Sequence, residues 1–275
     1  SRCSDPSNCF LHLRSQTASW KANFFSKHKA IGVVLGTGNV GAKLATSNYD
    51  TFISRDAGKA WHKAFSGRYI YDISQNGGII LAAKDDGATS TVSWSTDYGI
   101  TWNECRLPPF GTKRDAFAAN EQQLASSVDA ARDWTSVVYA NPETQHLKVS
   151  SMPTHQSNDE ENDKTHFTRD SPSTINVLGV TSVPSRDASA RFVVSGRTLN
   201  EQVIIYMDFN NTESRSCQGW ENPERPDSDY TPWSPSDFDG DGCILGRKVI
   251  YARKKPGVQC WIVHTEPPRL LMSLE

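Results

Sequence analysis

Two segments of this chain repeat one pattern: Ser54-Arg55-Asp56-Ala57-Gly58-Lys59-Ala60-Trp61 and Ser95-Thr96-Asp97-Tyr98-Gly99-Ile100-Thr101-Trp102 both read S-x-D-x-G-x-x-W, and Ser95 stands 41 residues after Ser54. A four-stranded propeller blade occupies roughly 40–45 residues, so a turn motif returning at this period restricts the chain to stacked β-units. The residue types explain themselves as a tight hairpin turn. Short Ser and Asp side chains bond nearby backbone N–H groups, Gly supplies a positive φ, and Trp on the returning strand packs its ring over the turn. Ser54, Asp56, Gly58 and Trp61, with Ser95, Asp97, Gly99 and Trp102, are therefore read as architecture and not as ligand contacts.

Turn signals divide the neighbourhood of the motifs into short strands. Ala60–Phe65 returns from the first turn, Tyr69–Ser74 precedes Asn76-Gly77-Gly78, and Ile79–Ala83 precedes Asp85-Asp86-Gly87. Thr91–Ser95 enters the second turn and Thr101–Leu107 leaves it; Phe10–Leu13 and Ile31–Leu35 read as strands of the preceding blade. Short strands with a turn every 8–12 residues are the all-β pattern. Downstream the period changes, because Phe117, Leu124, Val128 and Ala131 give the Ala- and Gln-rich stretch Asp115–Trp134 a helical spacing. The acidic run Asp159–Asp163 reads as a solvated loop, and strand character returns at Ile175–Val183, Arg191–Ser195 and Gln202–Phe209. The expected organisation is all-β: a partial β-propeller with blades of four antiparallel strands over 1–112, a helical and polar insertion over 113–174, a last blade over 175–212, and a small disulfide-rich module with a divergent tail over 213–275.

Charge excludes several partners. Lys and Arg number 29 against 31 Asp and Glu, a net charge of −2, which gives no electrostatic case for nucleic acid or an anionic membrane. The longest weakly polar run, Ala30 to Ala42, is broken by glycines and is far shorter than the roughly 20 residues of a membrane span, so no membrane contact is expected of this segment. The first ten residues lack a basic start followed by an apolar stretch, so a secretory signal is either absent or already removed.

The six cysteines, at 3, 9, 105, 217, 243 and 260, contain no C-x-x-C pair and no histidine at zinc-finger spacing, so no metal is expected. Three of them fall in a Pro- and Gly-rich stretch with little apolar pattern, the kind of segment that disulfides staple in oxidising compartments. Asn210-Asn211-Thr212 is a glycosylation sequon and agrees with a luminal location.

Two further motifs need context. Gly36-Thr37-Gly38-Asn39-Val40-Gly41 after an apolar run, with Asp56 downstream, has the form of a dinucleotide fingerprint. No helical stripe follows Gly41, and Asp56 already belongs to a hairpin turn. The run is therefore read as a β-turn and no cofactor is expected. Asp237-Phe238-Asp239-Gly240-Asp241-Gly242 opens like a calcium loop, but its twelfth position is Lys248 where a closing Glu is needed, so it reads as an acidic surface loop. Neither G-x-S-x-G nor H-E-x-x-H occurs.

The repeated motif is the Asp-box, shared by sialidases and the sortilin family of sorting receptors. CFLHLR at 9–14, GVVLGTGNVG at 32–41, TFISRDAGKAW at 51–61 and YIYDISQNGGII at 69–80 resemble consecutive stretches of the sortilin luminal propeller. RFVVSGR at 191–197, VIIYMDF at 203–209 and CILGRKVIYARKKPGVQC at 243–260 resemble its last blade and the start of its cysteine-rich module. The resemblance implies a ten-bladed propeller, small disulfide modules, one membrane anchor in the full-length protein, and carriage of soluble hydrolases or peptides from the Golgi lumen to endosomes, vacuoles or lysosomes. At that blade period ten blades need about 410 residues. The chain is accordingly expected to be the C-terminal part of such a propeller, with soluble cargo and the remaining blades as partners.

The resemblance also implies that Cys3 pairs with Cys9 and Cys217 with Cys260, that the partner of Cys243 is a further cysteine downstream, and that Cys105 has no counterpart. Residues 113–165 and the sequence after Cys260 depart from the family pattern. Cargo would sit in the propeller's tunnel, at contact residues the sequence leaves unassigned. A sialidase-like glycoside hydrolase would need an arginine cluster, a Tyr–Glu pair and an Asp acid, for which no segment speaks; no enzyme is expected. A soluble remnant without trafficking function is the other alternative. Three blades alone expose strand edges and apolar faces, so poor solubility or assembly with another propeller half is expected.

Overall fold

A computed structural model describes residues 9–14, 24–27, 30–107, 136–140, 147–150, 174–183, 190–199, 202–210, 212–235, 248–262 and 270–274. Cys3, the stretch Asp115–Trp134 expected to be helical, the acidic run Asp159–Asp163, the calcium-like motif at 237–248 and Cys243 lie outside the described residues, save Lys248.

The first sheet contains β1 (Phe10–Leu13), β2 (Phe24–Phe25), β3 (Val34–Gly41), β4 (Asp50–Ser54) and β5 (His62–Phe65), in the order β1-β3-β4-β5 with β2 also on β3. The second is an antiparallel meander of β6 (Tyr69–Ser74), β7 (Ile79–Lys84), β8 (Thr91–Ser95) and β9 (Asn103–Arg106). Each Asp-box joins the last two strands of its sheet, β4 to β5 and β8 to β9.

The third sheet has β12 (Asn176–Ser182), β13 (Arg191–Arg197) and β14 (Gln202–Asp208) in antiparallel order. It is extended by β10 (Ser136–Ala140), which pairs parallel to β14, and by β11 (Leu147–Ser150). The sheet thus runs across the boundary expected between 174 and 175. The segments SVVYA and LKVS carry enough β-branched and aromatic character to join a sheet wherever the surrounding sequence is polar. A fourth, small sheet is formed by β15 (Tyr230–Trp233), β16 (Lys248–Lys254) and β17 (Leu270–Leu274).

Burial explains the stacking. In β14 the alternating Val203, Ile205 and Met207 are all buried, and Phe192 and Val194 face them from β13. In β7, by contrast, Ile79 to Ala83 are buried without interruption. Ile79, Leu81 and Ala83 enter a core shared with the third sheet, while Ile80 and Ala82 enter one shared with the first. A strand apolar on both faces is a strand covered on both faces, which is the arrangement of a blade between two neighbours.

One reading needs correction. Gly36 to Gly41 is not a β-turn; it is extended chain inside β3, paired with β1 and β4 on its two sides. The glycines permit close approach, since a Cβ at Gly38 would lie 2.2 Å from the His12 carbonyl oxygen. β3 therefore starts later and runs further than the Ile31–Leu35 expectation. The strands after the two turns likewise begin at His62 and Asn103, so each Asp-box Trp stands one residue ahead of its strand and belongs to the turn.

Candidate functional site

The two Asp-box turns are built alike. In the first, the Ser54 hydroxyl donates to Asp56 Oδ1 (2.8 Å) and accepts the Gly58 N–H (2.7 Å), while the Asp56 carboxylate accepts the Ala60 N–H (2.9 Å). In the second, the Ser95 hydroxyl donates to Asp97 Oδ1 (2.7 Å) and accepts the Gly99 N–H (2.8 Å), and Asp97 accepts the N–H groups of Ile100 and Thr101 (2.9 Å each) and the Thr101 hydroxyl (2.6 Å). Gly58 and Gly99 have φ of 97° and 73°, and the residues before them, Ala57 and Tyr98, are also left-handed at 62°. Burial pushes both carboxyls up, but the hydrogen bonds they accept outweigh it and hold them below the ordinary carboxylate value. Carboxylates occupied in this way by turn N–H groups are not poised for acid–base chemistry.

The turns differ at their tryptophans. Trp61 Nε1 donates to the Gly58 carbonyl (2.8 Å), whereas Trp102 Nε1 is buried with no hydrogen-bond partner among the described residues. The equivalent carbonyl, Gly99 O, instead accepts the Arg55 guanidinium, which also donates to Tyr98 O (2.9 Å). Arg55 of the first box thereby ties itself to the second. Arg55 and Tyr98 occupy variable positions of the motif and Gly99 contributes only its backbone carbonyl, which is why a pattern search on S, D, G and W passes over this contact.

In the fourth-sheet module Cys217 and Cys260 form a disulfide with their Cα atoms 4.9 Å apart. Both sulfurs lie beside Asp229, but a disulfide leaves no thiolate to ligate a metal. Asp229 accepts a two-pronged contact from Arg215 (2.6 and 2.8 Å) and the Gln218 N–H (2.8 Å). The Arg215 hydrogen bond is the main reason its carboxyl sits below the ordinary value. Cys9 is disulfide-bonded, and Cys105 is a free, half-buried thiol whose pKa burial pushes up. Asn210 follows β14, its Oδ1 accepting the Ala190 N–H (2.9 Å), while the Thr212 hydroxyl of the sequon donates to Phe209 O (3.1 Å).

A second cluster joins the first strands of the stacked sheets. Lys27, just after β2, pairs with the buried Asp72 of β6 (2.7 Å) and donates to Ser182 Oγ of β12 (2.6 Å), and the Ser182 N–H returns to Asp72 Oδ2 (2.5 Å). One ion pair thus fastens three sheets at one edge. The residues are far apart in sequence, and only the stacking order brings them together.

Residues 1–115 match the family profile described as sortilin, neurotensin receptor 3, and residues 183–270 match the one described as its C-terminal part. Among curated proteins the chain is similar to the vacuolar protein sorting/targeting protein 10 of Aspergillus terreus, 27% identical over 267 residues, covering 94% of this chain and 14% of the relative. The protein of the same name from Penicillium rubens is 26% identical over 263 residues, with 94% and 13% covered. That of Paracoccidioides brasiliensis is 28% identical over 263 residues, with 92% and 13% covered. The chain spans about one seventh of the length of these relatives.

Proposed function

The chain belongs to the sortilin family, and from that premise we propose that it is a luminal segment of a sorting receptor that binds soluble hydrolases or peptides in the Golgi and directs them to endosomes, vacuoles or lysosomes. The observation that carries the reading is that the two matched segments, 1–115 and 183–270, contain strands of all four sheets and follow one another in family order. The relatives' printed name, vacuolar protein sorting/targeting protein, supports the direction of transport. The Asp-box serines and carboxylates are consumed in their turns and contribute architecture on this reading. Cargo would sit in the propeller's central tunnel, with membrane anchoring and the remaining blades supplied elsewhere in the full-length protein. Among the described residues no helix is long and apolar enough to cross a membrane.

The test is deletion of this segment from the full transcript product in its own cells, with secretion of soluble vacuolar or lysosomal hydrolases as the readout. Hydrolase should shift from the cells to the medium. Unchanged retention, with the shortened protein correctly located and at normal level, refutes the reading.

A further inference from the structure

Arg253 and Lys254 end β16 with their side chains buried, and each reaches one Asp-box turn. Arg253 Nη1 donates to the carbonyl oxygen of Arg55 (2.7 Å), and Lys254 Nζ donates to that of Thr96 (3.4 Å). Arg55 and Thr96 are the same position of the motif, the residue between Ser and Asp, in consecutive blades. Two adjacent cations thus read one equivalent carbonyl each from two copies of the repeat.

The surroundings are shaped to the same contact. The Arg253 guanidinium lies over the Tyr98 ring (4.5 Å) and the Trp233 ring (5.1 Å), and the Tyr98 hydroxyl donates to Lys254 O (3.1 Å). Lys254 also donates to Cys260 O (3.0 Å), linking the turn to the disulfide. Opposite, Gly32 has no side chain where Trp233 arrives: a Cβ there would meet the indole at 2.6 Å. Among the described residues neither cation has a carboxylate within ion-pair distance. Burial lowers the pKa of both, as expected of cations held mainly by carbonyl dipoles and rings. The module has a core of its own in Cys217, Tyr230, Cys260 and Ile262, with Trp220 and Val258 packed on it, while Trp261 reaches into the core of the second and third sheets.

We propose that the paired Asp-box turns form a binding site for the Arg253–Lys254 pair, a latch that holds the disulfide module on the propeller and opens without either half unfolding. The motif then has a second role beyond closing its own hairpin, as a docking plate whose spacing is set by the blade repeat. Opening must also withdraw Trp261 from the core of the second and third sheets and Ile262 from Gly78, so release of the latch uncovers these apolar contacts together with Tyr98 and Trp233.

Hydroxyl-radical footprinting of the whole chain, read by mass spectrometry, tests this. In the double variant Arg253→Ala, Lys254→Met, labelling of Tyr98 and Trp233 should rise several-fold, with Trp220 in the module core and Tyr71 in the propeller core at wild-type levels. Gly32→Ala, which wedges the interface from the propeller side, should produce the same pattern with the key residues intact. The proposal is overturned if Tyr98 and Trp233 stay protected in either variant, or if Trp220 or Tyr71 labels in step with them, since docking would then be inseparable from folding.

Discussion

Replacing Ser95 by Ala removes a hydroxyl that makes three hydrogen bonds where water does not follow, while the same change at Ser54 does so at a half-buried turn. Both hydroxyls bridge an Asp carboxylate and a Gly N–H at nearly identical distances. The difference is the glycine: Gly99 is buried and Gly58 is half-buried. An orphaned buried N–H costs about 1–3 kcal/mol in addition to about 1 kcal/mol for the lost bond, whereas a donor that water reaches loses only about 0.5–1.5 kcal/mol. Ser95→Ala should therefore destabilise by about 2–4 kcal/mol and Ser54→Ala by about 1 kcal/mol. At roughly 2–4 °C per kcal/mol for a chain near this size, the difference of about 1–3 kcal/mol separates their Tm values by about 2–12 °C. Urea unfolding followed by tryptophan fluorescence, alongside calorimetry, measures both. Equal losses, or a larger loss for Ser54→Ala, refute the claim that burial of the glycine N–H decides the cost.

Gly38→Ala drives a Cβ into the His12 carbonyl and should cost about 1–3 kcal/mol by prising β1 from β3, seen as faster hydrogen exchange in 10–13 and 38–41. Asp229 has a lowered folded pKa, so its contribution is fully present above the unfolded carboxylate value near 3.9 and is lost as pH falls through the folded value. Asp56 and Asp97 act with the same sign. Stability should decline below about pH 4, and Asp229→Asn should flatten that decline in a pH series of urea midpoints. Expressed through a secretory pathway, the chain should carry an endoglycosidase-sensitive mass increment that Asn210→Gln abolishes.

What the sequence made legible was the local chemistry of turns. Tyr69–Ser74 and Thr91–Ser95 were bounded to the residue because Gly, Asn and Asp punctuate them on both sides. β3 was misplaced because its glycines carry the same signal when they relieve a close strand approach as when they make a turn. β10 and β11 went unseen because their neighbours are polar and because β10, on which β11 pairs, finds its other partner more than sixty residues downstream. At the module latch the informative residues were Arg55, Thr96, Arg253 and Lys254. Two fill the motif's variable positions, and two reach back across 198 and 158 residues to meet them. Such contacts follow from the blade stacking and have no local signature.

β7 gives alternate side chains to two different cores. Its phase is thus shared property: inserting one residue ahead of Ile79 would exchange the two sets, sending Ile80 and Ala82 toward the third sheet and Leu81 toward the first. A change tolerable to one interface must be tolerable to its mirror position at the other. The middle blade consequently transmits a packing error made on one side to the opposite side within the thickness of a single strand.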